Sequence, residues 1–193
     1  SYIMGFVCHY ALDSEAHPFV HYAQDAFKQS RHWKHHDKLP DGMVHAHLES
    51  VLDIIMLRRE REQLPGELPL KTLTPKNPQL FDRIAGLYES LLKEMYGCEE
   101  SREILVQSVR NMRTCMKLLN DSTGYKRAFF RLLENVTKSG PVLTSYIRPQ
   151  TEEDDWDYAN VCEAAWVNPD EEAQTERTDS FFELFDHAAE EAA

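Results

Sequence analysis

The sequence predicts an all-α fold, a helical bundle, and three observations lead to that prediction. The chain of 193 residues contains only 7 glycines, and the strict alternation of apolar and polar residues that marks half-buried strands is scarce. Apolar residues instead recur at helical spacing along most of the chain, and proline and glycine separate the periodic segments. A chain of this length can bury one sizeable core, so we expect residues 1–193 to form a single helical domain.

The first part of the chain carries strong helical patterns. Residues 2–16 show an apolar stripe at helical spacing, but Pro18 disfavours helical geometry at the residue before it. We therefore predict a kink or a restart there, and a second helical piece over residues 19–30. The polar residues 31–42 predict a loop, and the regularly spaced apolar residues of 43–63 predict the next helix.

A connector rich in proline, residues 64–78, separates this part from the rest. Ser101 is a suitable N-cap for one of the later helices, and Gly140 followed by Pro141 is typical of a helix end. An acidic, irregular stretch then precedes the last helix. The helices predicted after the connector span 79–96, 101–120, 124–138 and 179–192.

The net charge of −12 comes from the C-terminal segment, residues 151–193. This segment holds 15 of the 33 acidic residues and a single basic residue, Arg177. Its charge disfavours contact with a nucleic-acid backbone, so we expect no stable nucleic-acid complex. Because aromatic residues lie among the acids, we expect the segment to pack on the bundle. A lid or a partner-docking strip is the alternative interpretation.

Other features limit the class of protein. No stretch of 18 apolar residues predicts a transmembrane helix, and no signal-peptide pattern is visible. The four cysteines are widely separated, which favours small buried side chains over a disulfide framework.

A cytoplasmic location is favoured, and secretion stays open if a signal peptide was removed upstream. The chain starts in an apolar run without Met, so we expect upstream helices to be missing. The oligomeric state is not predicted.

Eight of the nine histidines lie in the first quarter of the chain, which packing alone does not explain. His9, Asp13 and His17 follow one another at a spacing of four, which places them on one face of a helix. His45 and Glu49 repeat that spacing on a later helix. Imidazole and carboxylate groups in this pattern suit zinc, and a carboxylate can bridge two metal ions.

A single histidine–carboxylate pair is more often a packing or surface feature than a metal site, so the prediction depends on both pairs together. His21 extends the row by four more residues. Because it follows the predicted kink, we expect it beside the site or on the surface rather than as a ligand. Asp53 lies one turn beyond Glu49 and is expected to orient a ligand by a hydrogen bond.

These residues belong to segments that resemble a known family. "GFVCHYALDSEAHPFV" and the later "HAHLESVLD" resemble the zinc-dependent phospholipase C family, which shows GF-x-C-H-[FY]-x-L-D-x-x-x-H-P and H-x-x-x-E in its uncharacterised bacterial branch. Near the C-terminus, "AAWVNP" and "DSFFELFDHA" look like the same branch. The resemblance implies an all-α bundle around closely spaced zinc ions, a fold that single-strand-specific nucleases share.

The resemblance also implies a role for each motif residue. His9 would ligate one zinc ion, Asp13 would bridge two ions, and His17, His45 and Glu49 would hold a third. Family members take further ligands from an upstream segment that this chain lacks, so we expect either a fragment or a shortened relative with an incomplete site. Up to three zinc ions are implied, and only the last of these sites can be completed within the chain, with water as its fourth ligand.

The expected function is that of a zinc-dependent phosphodiester hydrolase. Metal-bound hydroxide would attack the phosphodiester, and Asp13 would be the catalytic residue that helps to activate this water. A phospholipid or a small soluble phosphodiester is the expected substrate. The alternative is a non-catalytic helical protein whose zinc site is structural or incomplete.

Overall fold

Helices dominate the computed structural model, which confirms the prediction of an all-α protein. The structure describes residues 2–32, 41–68, 76–99, 101–139, 142–152, 154–169, 171–173 and 175–193. Its helices in these ranges are α1 (Tyr2–Gln29), α2 (Asp41–Arg61), α3 (Pro78–Tyr96), α4 (Arg102–Leu119), α5 (Tyr125–Thr137) and α6 (Phe181–Glu191). Two 3₁₀ turns lie at Pro65–Glu67 and Thr144–Tyr146, and the short strands β1 (Trp166–Val167) and β2 (Glu176–Arg177) pair antiparallel. Among these described helices, none combines the length and hydropathy needed to span a membrane.

Helix α1 continues through Pro18, so the predicted restart and the separate piece over 19–30 are wrong. A proline inside a helix removes one backbone hydrogen bond and costs about 3 kcal/mol. Phe19, Val20 and Phe27 offset this cost, because all three follow the proline in α1 and are buried in the core. Side chains four residues apart therefore stay on one face across Pro18.

The remaining helices lie within two residues of their predicted ends. Ser101 caps α4 as predicted, since its side chain accepts a hydrogen bond from the amide of Ile104. Most of the loop predicted over 31–42 lies outside the described residues. The β1–β2 pair was not expected, because two-residue strands carry no alternating pattern that a sequence could reveal.

The hydrophobic core lies in a compact unit formed by Ser1–Gly66 and Asp121–Ala193. Both α2 and α6 pack against α1 in this unit, and both run antiparallel to it. For α2 this direction follows from two contacts, between Lys28 and Asp41 and between His17 and Glu49. The consequence is that the second half of α1 faces the first half of α2.

The acidic segment contributes a large part of this core. Trp166 is only 2% exposed, lies edge-on to Phe19 at 5.5 Å between ring centroids, and donates its indole N–H to the carbonyl of Asp179. Helix α6 then begins with a capping box, in which Ser180 and Glu183 each accept a hydrogen bond from the other's backbone amide. The aromatic residues therefore lie inside while the carboxylates remain at the surface.

A second compact unit, Glu67–Asn120, contains α3 and α4, which pack against each other. Arg102 at the start of α4 forms an ion pair with Asp82 of α3, with 2.8 Å between Nε and Oδ1. Gly97 ends α3 in the left-handed conformation, at a φ of 65°, which glycine adopts without strain. The expectation of a single domain stays a prediction.

Helix α5 is held by a buried set of charges. The carboxylate of Asp121 accepts the amide of Arg127 at 2.7 Å and so satisfies one of the free amides at the helix start. The buried guanidinium of Arg127 donates to the carbonyls of Thr144 and Ile147, and the carboxylate of Glu134 accepts from the hydroxyl of Thr144 at 2.6 Å. These bonds attach α5 to the turn that follows it.

Candidate metal centre

Helices α1, α2 and α6 line a cavity of about 290 Å³. Its polar side is formed by the residues that the sequence singled out, which are His9, Asp13, His17, Glu49 and Asp53. The rest of its lining is apolar and consists of Leu12, Ala16, Val20, Leu52, Met56, Phe181 and Phe185. The fold thus brings the predicted ligands of α1 and Glu49 of α2 into the lining of one cavity.

Three predicted ligands, His17, His45 and Glu49, form a compact triangle of donor atoms. The two Nε2 atoms lie 3.3 Å apart, and Oε1 of Glu49 lies 3.2 Å from Nε2 of His45 and 3.8 Å from Nε2 of His17. With zinc–ligand bonds of about 2.0–2.1 Å and tetrahedral angles, neighbouring ligand atoms stand about 3.3 Å apart. The triangle therefore has the size that one zinc ion requires.

The antiparallel packing of α1 and α2 explains this convergence. His45 and Glu49 are one turn apart on α2, so both point towards α1 at the level of His17. The two histidines are half-buried and Glu49 is about half exposed. An ion at this place would therefore keep a side open to solvent, where water can complete the coordination.

Asp13 contacts the opposite side of the same imidazole. Its Oδ2 lies 3.4 Å from Nδ1 of His17, whereas Nε2 of His17 faces His45. This is the arrangement in which a carboxylate fixes the tautomer and the orientation of a metal-binding histidine. Asp13 is thus placed to hold the ring of His17 so that its Nε2 faces His45.

His21 lies beside the donor triangle, one of the two positions expected for it. Its ring stacks on that of His17 at 5.1 Å between centroids and lies 5.6 Å from that of His45. One ring nitrogen from each of the three histidines falls within 4.8 Å of the others. The spacing of four from His17 on the continuous helix α1 accounts for this position.

The roles implied for His9 and Asp13 as ligands of further zinc ions stay predictions. His9 is exposed at the wall of the cavity, eight residues before His17 on α1. Both residues face the same space as Glu49. His9, Asp13 and Glu49 supply one imidazole and two carboxylates to the lining of the cavity, and such groups can bind a cation.

Asp53 lines the cavity too, but its partner is Arg148. The guanidinium Nη2 lies 2.6 Å from Oδ2 of Asp53 and Nε donates to the same oxygen at 2.7 Å. The expected role of Asp53 in orienting a metal ligand stays untested. The pair instead places a cationic group beside the cavity.

No protein-family model matches this chain, and no curated protein or solved structure matches it.

Proposed function

We propose that this chain is a zinc-dependent phosphodiester hydrolase with a helical bundle of the kind found in zinc-dependent phospholipases C and single-strand-specific nucleases. One observation carries the proposal, namely that donor atoms of His17, His45 and Glu49 lie 3.2–3.8 Å apart, beside a cavity that His17 and Glu49 line. Two neutral imidazoles whose nitrogens face each other share one proton, whereas a metal ion would bind both nitrogens and the carboxylate at once.

His17, His45 and Glu49 would hold the zinc ion, and His21 would stand beside it. When bound there, zinc would act as a Lewis acid on a phosphoryl oxygen and lower the pKa of a coordinated water. The chain's own contribution is positioning, because Asp13 keeps Nδ1 of His17 occupied and so leaves Nε2 to the ion.

Asp13 is the catalytic residue in this proposal. It lines the cavity, so its carboxylate can accept the proton of the water that attacks phosphorus. The ion pair of Arg148 with Asp53 adds a guanidinium near the cavity, and guanidinium groups bind phosphate oxygens with two parallel hydrogen bonds.

The apolar lining of the cavity bears on the substrate. The cavity that His17 and Glu49 line is also lined by Phe181, Phe185, Leu52 and Met56. A phosphodiester that carries an apolar group, such as a phospholipid, could place that group against these side chains. A small soluble phosphodiester would use only the polar side of the cavity.

The test combines zinc analysis with hydrolysis assays on the purified chain. We expect zinc to be bound without added metal, and bis-p-nitrophenyl phosphate or p-nitrophenylphosphorylcholine to be hydrolysed in a zinc-dependent manner. Bound zinc with neither substrate hydrolysed would favour the non-catalytic alternative. A chain without zinc, whose stability a chelator does not change, would contradict the metal centre itself.

A further inference from the structure

A second group of metal-binding side chains lies where α6 packs on α1. It consists of Glu15, His187 and Glu191, each of which offers one donor atom within 4.8 Å of the others. Within this group, Nδ1 of His187 lies 3.4 Å from Oε2 of Glu15. We refer to these three residues as the α1–α6 cluster.

The cluster is separate from the cavity side of α1. Glu15 is two residues away from both Asp13 and His17, and successive residues of an α-helix turn by about 100°. Glu15 therefore points away from those two side chains, towards the flank of α1 on which α6 lies. The two donor groups occupy different flanks of one helix.

The local structure of α6 places its two donors together. His187 and Glu191 are four residues apart, the same spacing as that of His45 and Glu49, so they share one face of the helix. The pair lies at the edge of the buried face, because Leu184, three residues before His187 and seven before Glu191, and the neighbouring Ala188 are buried in the core. The position of this pair relative to Glu15 is thus set by core packing.

Electrostatics favour a cation at this cluster. Carboxylate oxygens of Glu15 and Glu191 approach within 4.8 Å of each other, and like charges at that distance repel. Glu191 is also the last residue of α6, where the helix dipole disfavours a negative charge and favours a positive one. One divalent ion would compensate both effects.

We propose that Glu15, His187 and Glu191 bind a zinc ion that fastens α6 to α1. One imidazole and two carboxylates from two helices form a three-ligand set that zinc accepts, with water in the fourth position. The proposal is independent of the hydrolase function, because the cluster shares no ligand with the cavity.

The first experiment measures zinc affinity and stoichiometry by competition with a coloured chelator. His187→Ala and Glu15→Gln should each bind about one zinc ion fewer than wild type, because each removes one of three ligands. Glu190→Gln is the matched control, since Glu190 is an exposed acid on α6 outside the cluster, and it should bind as much zinc as wild type. Equal zinc binding by wild type and His187→Ala would overturn the proposal.

The second experiment separates this ion from the one at the cavity. The double variant His17→Ala/His45→Ala lacks the cavity site and should still bind about one zinc ion, which His187→Ala then removes. Zinc should slow amide hydrogen exchange in α6 in the double variant. No effect of zinc on α6 exchange in that variant would contradict the fastening role, whatever happens at the cavity.

Discussion

The Nε2 atoms of His17 and His45 lie 3.3 Å apart, although 28 residues separate these histidines in the chain. Two imidazole nitrogens can face each other in this way when one carries a proton for the other or when a metal ion lies between them. The carboxylate of Glu49 lies near both nitrogens and completes the donor set that we propose for zinc.

Replacement of His45 by Ala should abolish zinc binding at the cavity, because it removes the atom that is closest to both other donors. His47→Ala is a matched control on the same helix, since Nε2 of His47 instead contacts the hydroxyl of Tyr158 at 3.2 Å. The metal content of His45→Ala and His47→Ala is measured after free zinc has been removed by dialysis. Variants of the α1–α6 cluster are measured in parallel. Zinc loss of equal size in both variants would argue against a specific role for His45.

Replacement of Asp13 by Asn should weaken zinc binding by about 10- to 100-fold, the effect usual for partners of metal-binding histidines. A neutral amide neither stabilises a metal-bound imidazole nor accepts a proton from water, so phosphodiester hydrolysis should be lost too. Zinc titration and a hydrolysis assay measure both. Asp25→Asn, on the exposed side of the same helix, should match wild type. Wild-type zinc content and turnover in Asp13→Asn would refute both roles.

The capping box of α6 predicts a pH-dependent contribution to stability. The backbone amide and hydroxyl of Ser180 donate to Glu183 and lower the pKa of that carboxyl below its usual 4.5. Since the folded-state pKa is the lower one, the contribution is present above pH 4.5 and is lost as the pH falls through the folded-state pKa. Glu183→Gln should therefore be less stable than wild type at neutral pH, and the difference should shrink in acid. Urea unfolding at several pH values checks this, and a difference that grows in acid would contradict it.

Leu184→Ala should lower the free energy of unfolding by about 2–5 kcal/mol, the cost of a cavity in a packed core. Leu184 is 1% exposed and lies within the main core cluster. Val161→Ala, at a position that is 61% exposed, should change stability by less than about 0.5 kcal/mol. Similar unfolding midpoints for the two variants would show that α6 is not an integral part of this core.

The positions of the helices followed from the sequence because each depends on local signals. Apolar periodicity, the cap at Ser101 and the stops at proline and glycine all act within one or two turns. The same reasoning failed at Pro18. Proline disfavours a continuous helix there, but distant segments of the chain bury Phe19 and Val20, and this burial outweighs the local effect.

The candidate site was predictable in part for a related reason. Spacing places His45 and Glu49 on one face of one helix, but it does not say that this face meets His17. Partners such as Glu15 with His187, or Asp53 with Arg148, join segments far apart in the chain and leave no local pattern. Similarly, Arg127 and Glu134 look like surface charges in the sequence, and only their buried hydrogen bonds show otherwise.

The antiparallel contact between α1 and α6 also bears on how the chain folds. The rings of Phe19 and Phe181 lie 6.3 Å apart but belong to residues separated by most of the chain. Contacts of such high sequence separation are slow to form, so this docking is expected late in folding. The entropic cost of closing a loop grows only with the logarithm of its length. A chain without Glu67–Asn120 would therefore close this loop at a free-energy cost lower by about 0.4 kcal/mol. The intervening unit can therefore vary in length with little effect on the entropy of α1–α6 docking.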